Sequence, residues 1–258
     1  MSSILFEIKD AIATITLHRP DSYNAFNREM ALLLQERLDE CKASKEVRCV
    51  YLTGSGKAFS SGQDLNEVVD PNGPKVHQIL TEHYNPIVRR IRELDKPVVA
   101  AVNGVAAGAG ANLAISCDIC VATRSASFIQ AFSKIGLVPD TGGTFFLPRA
   151  VGLQKAMALT MLGEKVPADE AERIGMIYKV FDDATFAEES YKIAQTLAGM
   201  PTRALYFTKK ALNQAFISSF EEQLHDEELL QQRAAMTYDY QEGVQAFLEK
   251  RKPVFKGE

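Results

Sequence analysis

No stretch of the chain approaches the roughly 20 consecutive apolar residues that would span a bilayer. The opening MSSILFEIKDAIATITLHRP has neither the basic start nor the long apolar centre of a secretory signal. These absences predict a soluble, cytoplasmic protein with no membrane partner. Basic charge is not in excess: 29 Lys and Arg stand against 33 Asp and Glu, a net −4, which gives no general attraction for nucleic acid. An anionic ligand therefore needs a local cluster. Lys250, Arg251, Lys252 and Lys256 supply one, although a charged run at a C-terminus is equally a solvated tail. Cysteine is scarce. Cys117 and Cys120 form a C-x-x-C that leads into the apolar Val121-Ala122, and no second Cys or His pair has ligand spacing. Cys41, Cys49, Cys117 and Cys120 thus read as small core residues, with no metal centre. His18, His77, His83 and His225 are scattered, without a nucleophile motif or metal spacing. Only His83, beside Tyr84 and Asn85, is a candidate to line a pocket.

What is present is an ordinary globular composition, 46% hydrophobic and 24% charged, enough for one large core. Ile4–Ile8 and Ala13–Leu17 alternate as the strands of a hairpin with Lys9-Asp10 between them. Asn27 is placed to cap a helix whose Met30, Leu33, Leu34, Leu38 and Cys41 share one face. A buried strand follows from Val47 to Leu52, ending at Thr53-Gly54-Ser55-Gly56. A helix around 75–93 then leads to the strand Pro97–Val102. A small-residue helix near 109–116, a strand over 118–123 and a short helix before Gly136 complete the pattern. This alternation predicts an α/β fold with its chemistry on the loops after strands. From residue 183 the periodicity is helical almost throughout, with Pro201 and Thr202 opening one helix.

Two of those loops are rich in small residues: Phe59-Ser60-Ser61-Gly62-Gln63-Asp64-Leu65, and Asn103 through Gly108-Ala109-Gly110-Ala111. Small residues at a helix start let a ligand approach free N–H groups, which together favour developing negative charge. They equally serve tight helix packing. A third loop, Gly136-Leu137-Val138-Pro139-Asp140-Thr141-Gly142-Gly143, carries a carboxylate amid apolar residues. Asp140 is either an N-cap of the next helix or a group facing a pocket, where Leu137, Val138, Phe132 and Phe145 raise its pKa toward the range useful for proton transfer.

These loops, together with His18-Arg19-Pro20, Asn24-Ala25-Phe26, Lys96-Pro97-Val98-Val99-Ala100-Ala101-Val102 and Cys117-Asp118-Ile119, resemble the crotonase (enoyl-CoA hydratase/isomerase) superfamily over nearly the whole chain. The resemblance implies an α/β spiral of ββα units over residues 1–195, holding coenzyme A and the active site. It also implies a helical oligomerisation region over 196–258, building homotrimers or hexamers. It places a thioester carbonyl between the N–H groups of Gln63 and Ala109, and coenzyme A along Asn24, Ala25, Ser61, Gly62, Asp64 and Leu65, with Gly108, Asn112 and Phe132 beside the acyl group. Lys250 is a candidate for the phosphates, in this subunit or a neighbour.

Hydratases of the superfamily use two glutamates, and this chain has Asn112 and Phe132 at those positions, so ordinary water addition is not expected. Asp140 is then the remaining acid/base carboxylate. An aspartate there resembles dienoyl-CoA isomerases, the 4-chlorobenzoyl-CoA dehalogenase branch and, most closely, the branch that isomerises ring 1,2-epoxyphenylacetyl-CoA. The dehalogenase branch carries Trp at the position of Phe132, and this chain contains no Trp. The expected activity is isomerisation of that epoxide to oxepin-CoA, or a Δ3-to-Δ2 double-bond shift. The alternatives are a hydratase or dienoyl-CoA isomerase of fatty-acid oxidation, a nucleophilic role for Asp140, and a non-catalytic acyl-CoA-binding homologue. No cofactor is expected beyond the coenzyme A of the substrate.

Overall fold

The computed structural model describes residues 2–258. Strands β1 (Ile4–Lys9) and β2 (Ile12–Leu17) pair antiparallel, with Ile4 opposite Leu17. Asp10 and Ala11 form the turn, both in left-handed backbone at φ 50° and 62°, the geometry whose twist suits a two-residue hairpin. The turn thus lies slightly later than the Lys9-Asp10 pair marked by the alternation. Helix α1 (Arg28–Ala43) starts where Asn27 accepts the Met30 N–H at 3.0 Å and buries Met30, Leu34, Leu38 and Cys41. Its C-terminal carbonyls are met by the Lys96 ammonium, which reaches Ser44 O at 2.7 Å and Lys42 O at 3.1 Å.

Three units of similar plan follow. The first is β3 (Cys49–Gly54), the short β4 (Ala58–Ser60), α2 (Leu65–Val69), α3 (Val76–Gln78), a π-helical turn over Ile79–Tyr84, and α4 (Asn85–Glu93). The second is β5 (Val98–Val102), β6 (Val105–Ala107) and α5 (Ala109–Ser116). The third is β7 (Ile119–Thr123), β8 (Ser127–Ile129), a 3-10 turn over Ala131–Ile135, α6 (Gly143–Val151) and α7 (Leu153–Leu162). Next come β9 (Lys165–Pro167), α8 (Ala168–Arg173) and β10 (Lys179–Phe181).

The first strand of each unit joins a six-stranded sheet of order β1-β2-β3-β5-β7-β10, parallel except at the hairpin. The second joins a four-stranded sheet of order β4-β6-β8-β9, antiparallel only between β8 and β9. No barrel closes. Because side chains alternate along a strand, Val50, Leu52, Val98, Ala100, Val102 and Ala122 fill the inner core, while Cys49, Tyr51, Val99, Ala101 and Val121 pack on helix α9 (Phe186–Gly199). Burial on both faces explains why these strands read as unbroken apolar runs. Helix α9 runs past position 195, where the sequence reading ends the core. All four cysteines are buried and unpaired, and burial pushes the Cys41 and Cys117 thiols up to about 12, which suits packing rather than reaction.

Helices α10 (Thr202–Gln214), α11 (Phe220–Ala235) and α12 (Tyr238–Leu248) form the C-terminal region. Ser219 caps α11 in a capping box with Glu222. In the tail, Arg251 pairs with Glu242 at 2.6 Å and with Glu249 at 2.6 Å. Among the described residues no helix is long and apolar enough to cross a membrane, and no group of three His, Cys, Asp or Glu is placed to hold a metal.

Candidate active site

The loop after β4 and the loop before α5 meet backbone to backbone. Phe26 N–H donates to Gly62 O at 2.7 Å, and Asp64 N–H donates to Phe26 O at 2.9 Å. The C=O and N–H of a trans peptide point in opposite directions, so the N–H of Gln63 is turned away from Phe26. Gly62 permits this with φ 90°. Helix α5 begins after Gly108, whose φ 53° and ψ −125° are non-helical, and the Ala109 N–H opens the helix without an intrahelical acceptor. Among the described residues neither amide has a hydrogen-bond acceptor. The two loops approach closely: a Cβ built on Gly62 would lie 3.3 Å from Ala109 N, and one on Gly110 would lie 2.4 Å from Ser60 O. The small residues therefore serve tight packing and amide exposure at once.

Asp140 lies on the loop between the 3-10 turn and α6. Its main-chain O accepts from Gly143 N at 2.8 Å and from Asn112 Nδ2 at 2.9 Å. Its carboxylate Oδ1 accepts from the Thr141 hydroxyl at 2.7 Å, and Thr141 itself is left-handed at φ 55°. Helix α6 is preceded by Gly142, with no side-chain cap, so the N-cap reading of Asp140 does not hold. Burial raises the Asp140 pKa, and the Thr141 hydroxyl opposes that by stabilising the anion. Phe132 and Leu137 stand on the same cavity wall as Asp140. Val138 and Phe145 do not: Val138 is 76% exposed, and Phe145 lies under the Arg149 guanidinium at 3.6 Å.

A cavity of about 520 Å³ joins these features. Asp140, Gln63, Ala109, Ser61, Gly62, Leu65, Gly108 and Phe132 all line it. The remaining candidates lie elsewhere. Asn24 is fully buried, its Nδ2 donating to Ser55 O at 2.9 Å and Ala58 O at 2.8 Å while its Oδ1 accepts from Arg19 N at 2.8 Å; Ala25 is buried next to it. Asp64 caps α2 by accepting the Asn66 N–H at 3.1 Å and pairs with Arg19 at 2.9 Å. Asn112 faces the backbone of Asp140 and accepts from Gln130 Nε2 at 2.8 Å. Lys250 sits in the turn after α12, away from the cavity wall. His83 is buried but does not line the cavity.

The sequence reading missed Tyr84, which lines the cavity and donates its hydroxyl to Gln63 Oε1 at 3.1 Å. Nor did it single out the apolar wall of Val68, Val69, Val76, Ile79 and Leu80, or the cation Lys134. The π turn ending at Tyr84 breaks the helical period through this stretch; the only signal was the polar run His83-Tyr84-Asn85 inside an otherwise amphipathic segment. Two main-chain donors without acceptors among the described residues, and one shielded carboxylate lining the same largely apolar cavity, suit a reaction that builds charge on a carbonyl oxygen while a proton moves nearby.

Residues 7–258 match the protein family described as enoyl-CoA hydratase/isomerase. The chain is 46% identical to 1,2-epoxyphenylacetyl-CoA isomerase of Escherichia coli (strain K12), over 100% of this chain and 99% of that one. It is 44% identical to a protein of Rhodobacter capsulatus named as a probable enoyl-CoA hydratase, over 99% and 98% of the two chains. Among solved structures, the enoyl-CoA hydratase from Bacillus anthracis superposes with a TM-score of 0.92 at 30% identity, covering 99% of this chain and 100% of that one.

Proposed function

We propose, from the premise that this chain belongs to the enoyl-CoA hydratase/isomerase family, that it is an isomerase of CoA thioesters whose substrate is 1,2-epoxyphenylacetyl-CoA and whose product is oxepin-CoA. The observation that carries this reading is a cavity lined by one carboxylate, Asp140, with the unpaired amides of Gln63 and Ala109 in the same wall system. The thioester oxygen accepts from those two amides. Charge that develops there meets donors already in place, worth roughly 3–4 kcal/mol each in a dry site. Asp140, its pKa raised by burial, exchanges a proton with the acyl group and assists opening and expansion of the epoxide ring, so substrate and product keep the same formula. One carboxylate is enough because the group that removes a proton can return it elsewhere. The apolar wall of Val68, Val69, Ile79, Leu80, Phe132 and Leu137 suits an aryl or alkenyl group.

The same reading takes coenzyme A as part of the substrate, with no separate cofactor. The pantetheine runs along Ser61, Gly62 and Leu65, and Lys250 is reserved for the phosphates of a site in the assembly. Residues 1–195 carry the chemistry in the cytoplasm, and residues 196–258 build a homotrimer or hexamer. Hydration, the second reading, is favoured by the name of the Rhodobacter relative. It needs a second acid/base group, and at the two positions where hydratases of the family carry glutamate stand Asn112, turned to the Asp140 backbone, and Phe132.

Turnover of enzymatically generated 1,2-epoxyphenylacetyl-CoA and of a Δ3-enoyl-CoA, followed by absorbance and mass spectrometry, separates these readings. The wild type should yield oxepin-CoA, and Asp140→Asn should lose about 10²-fold or more in kcat. Turnover of the Δ3-enoyl-CoA alone would assign a double-bond isomerase, and an Asp140→Asn enzyme as active as the wild type would refute the acid/base role.

A further inference from the structure

Gln63 is held by its side chain as well as by its backbone. The Tyr84 hydroxyl donates to Gln63 Oε1 at 3.1 Å, and Gln63 Nε2 donates to Glu67 Oε2 at 3.0 Å. A carboxylate only accepts, so the amide nitrogen must face Glu67 and its oxygen must face the phenol. Glu67 is fixed in turn: its Oε1 accepts the Arg28 N–H at 2.8 Å. The Arg28 guanidinium pairs with Glu82, which stands on the same π-helical turn that ends at Tyr84. The contacts thus close into a ring through Tyr84, Gln63, Glu67, Arg28 and Glu82. That ring ties the loop after β4 to α1, α2 and the π turn.

Tyr84 is well placed to act within it. Its residue is 1% exposed, its ring lies 5.8 Å from that of Phe26, and Phe26 is the main-chain bridge partner of Gln63. Burial, with the charges of Asp140 and Glu67 adding to it, keeps the phenol protonated well above its ordinary pKa, so the hydroxyl remains a donor at any working pH. π turns recur at functional sites, and this one delivers a donor to the cavity wall.

We propose that Tyr84 and Glu67 are positioning residues which clamp the Gln63 side chain from both ends and so hold its main-chain N–H aimed at the substrate's thioester oxygen. The proposal rests on the reading of Gln63 as a donor to that oxygen. The Gly62–Gln63 peptide follows a glycine at φ 90°, whose backbone has many alternative conformations open to it. A single main-chain bond, from Phe26 N–H to Gly62 O, restrains that peptide; the side-chain clamp makes its rotation costlier. A small misalignment of a preorganised donor lowers the rate of the chemical step far more than it weakens ground-state binding.

The test uses 4-(dimethylamino)cinnamoyl-CoA, a bound chromophore whose absorbance moves to the red as its carbonyl is polarised, beside steady-state kinetics on the turned-over thioester. Tyr84→Phe should bind the probe within about twofold of the wild type, show a smaller red shift, and lose roughly 10- to 100-fold in kcat. Gln63→Leu removes both contacts, so adding Tyr84→Phe to it should cost nothing further in kcat. If Tyr84→Phe does not fold, Glu67→Ala breaks the clamp from its other end and must show the same reduced shift. An unchanged shift in Tyr84→Phe, or full additivity with Gln63→Leu, overturns the proposal. No red shift with the wild type overturns the donor role of Gln63 and the proposal together, leaving the Asp140 test to be read on its own.

Discussion

Asp140 is an ionisable group largely removed from water, with the Thr141 hydroxyl as its side-chain partner. Burial raises its pKa above the ordinary carboxylate value near 4. The native state then holds the proton more tightly than the unfolded chain does. At pH below that ordinary value both states are protonated and the residue costs nothing. As pH rises from there through the raised native pKa, stability falls, and above it the full cost remains. Asp140→Asn should therefore melt at a higher temperature than the wild type at neutral pH while losing turnover, and calorimetry should show the advantage shrinking on acidification toward pH ~4. Equal melting at neutral pH would mean that burial of the anion costs nothing. Asn112 poses the opposite case. Its Oδ1 is the partner of Gln130 Nε2, while buried Gln130 Oε1 has no partner among the described residues. Asn112→Leu should strand that amide and free the Asp140 carbonyl, lowering urea-measured stability by about 1–3 kcal/mol and reducing kcat along with it. Asn112→Glu should not confer hydration, because this side chain faces the Asp140 backbone and not the cavity.

At the scale of elements, the site depends on α5 lying directly on β4. A Cβ on Gly110 would meet Ser60 O at 2.4 Å and Ser60 Cβ at 2.8 Å, and backbone cannot yield cheaply. Gly110→Ala should push the start of α5 outward, separate the Ala109 and Gln63 amides, and cost about 1–3 kcal/mol in stability, with a larger relative loss in kcat than in melting temperature; retention of wild-type turnover would show that the two amides tolerate displacement. Much of this architecture was legible in the chain. Strands β3, β5 and β7 are buried on both faces and so appear as apolar runs, and α5 was found where Ala109 to Ser116 places it. The second sheet was not legible from periodicity, since β4, β6, β8 and β9 have three residues each, too few for alternation to register; only the family resemblance implied it. The two readings of Asp140 could not be separated locally either. What separates them is that α6 opens after Gly142 with no side-chain cap and that Asp140 lines the cavity, neither of which can be read from residue type. Tyr84 stayed hidden because a π turn shifts the helical period that a sequence argument relies on.

For the whole molecule, the C-terminal region leaves large apolar side chains in water: Phe216, Phe220, Met236 and Phe247 are 65%, 73%, 83% and 82% exposed. Isolated exposed apolar residues are ordinary, but several spread over α11, α12 and the turns before them suit the association proposed above. Under the proposed assembly these side chains are buried between copies of the chain, and the tail that carries Lys250 is brought against a neighbour. The tail is held within its own chain: Asp239 accepts the Lys256 and Gly257 N–H groups at 2.7 and 2.8 Å, and Arg251 draws the Glu242 carboxyl down to about 2. Sedimentation velocity of the wild type should show trimers or hexamers at micromolar concentration, and Phe220→Glu with Phe247→Glu should move the distribution toward the monomer by placing charge where apolar contact is needed. Circular dichroism should remain that of the wild type, because neither side chain belongs to the inner core. If Lys250 serves a neighbour's coenzyme A, the dissociated variant and Lys250→Ala in the intact assembly should both raise KM while sparing kcat per site. A dissociated variant with unchanged KM would place the whole ligand site within one chain.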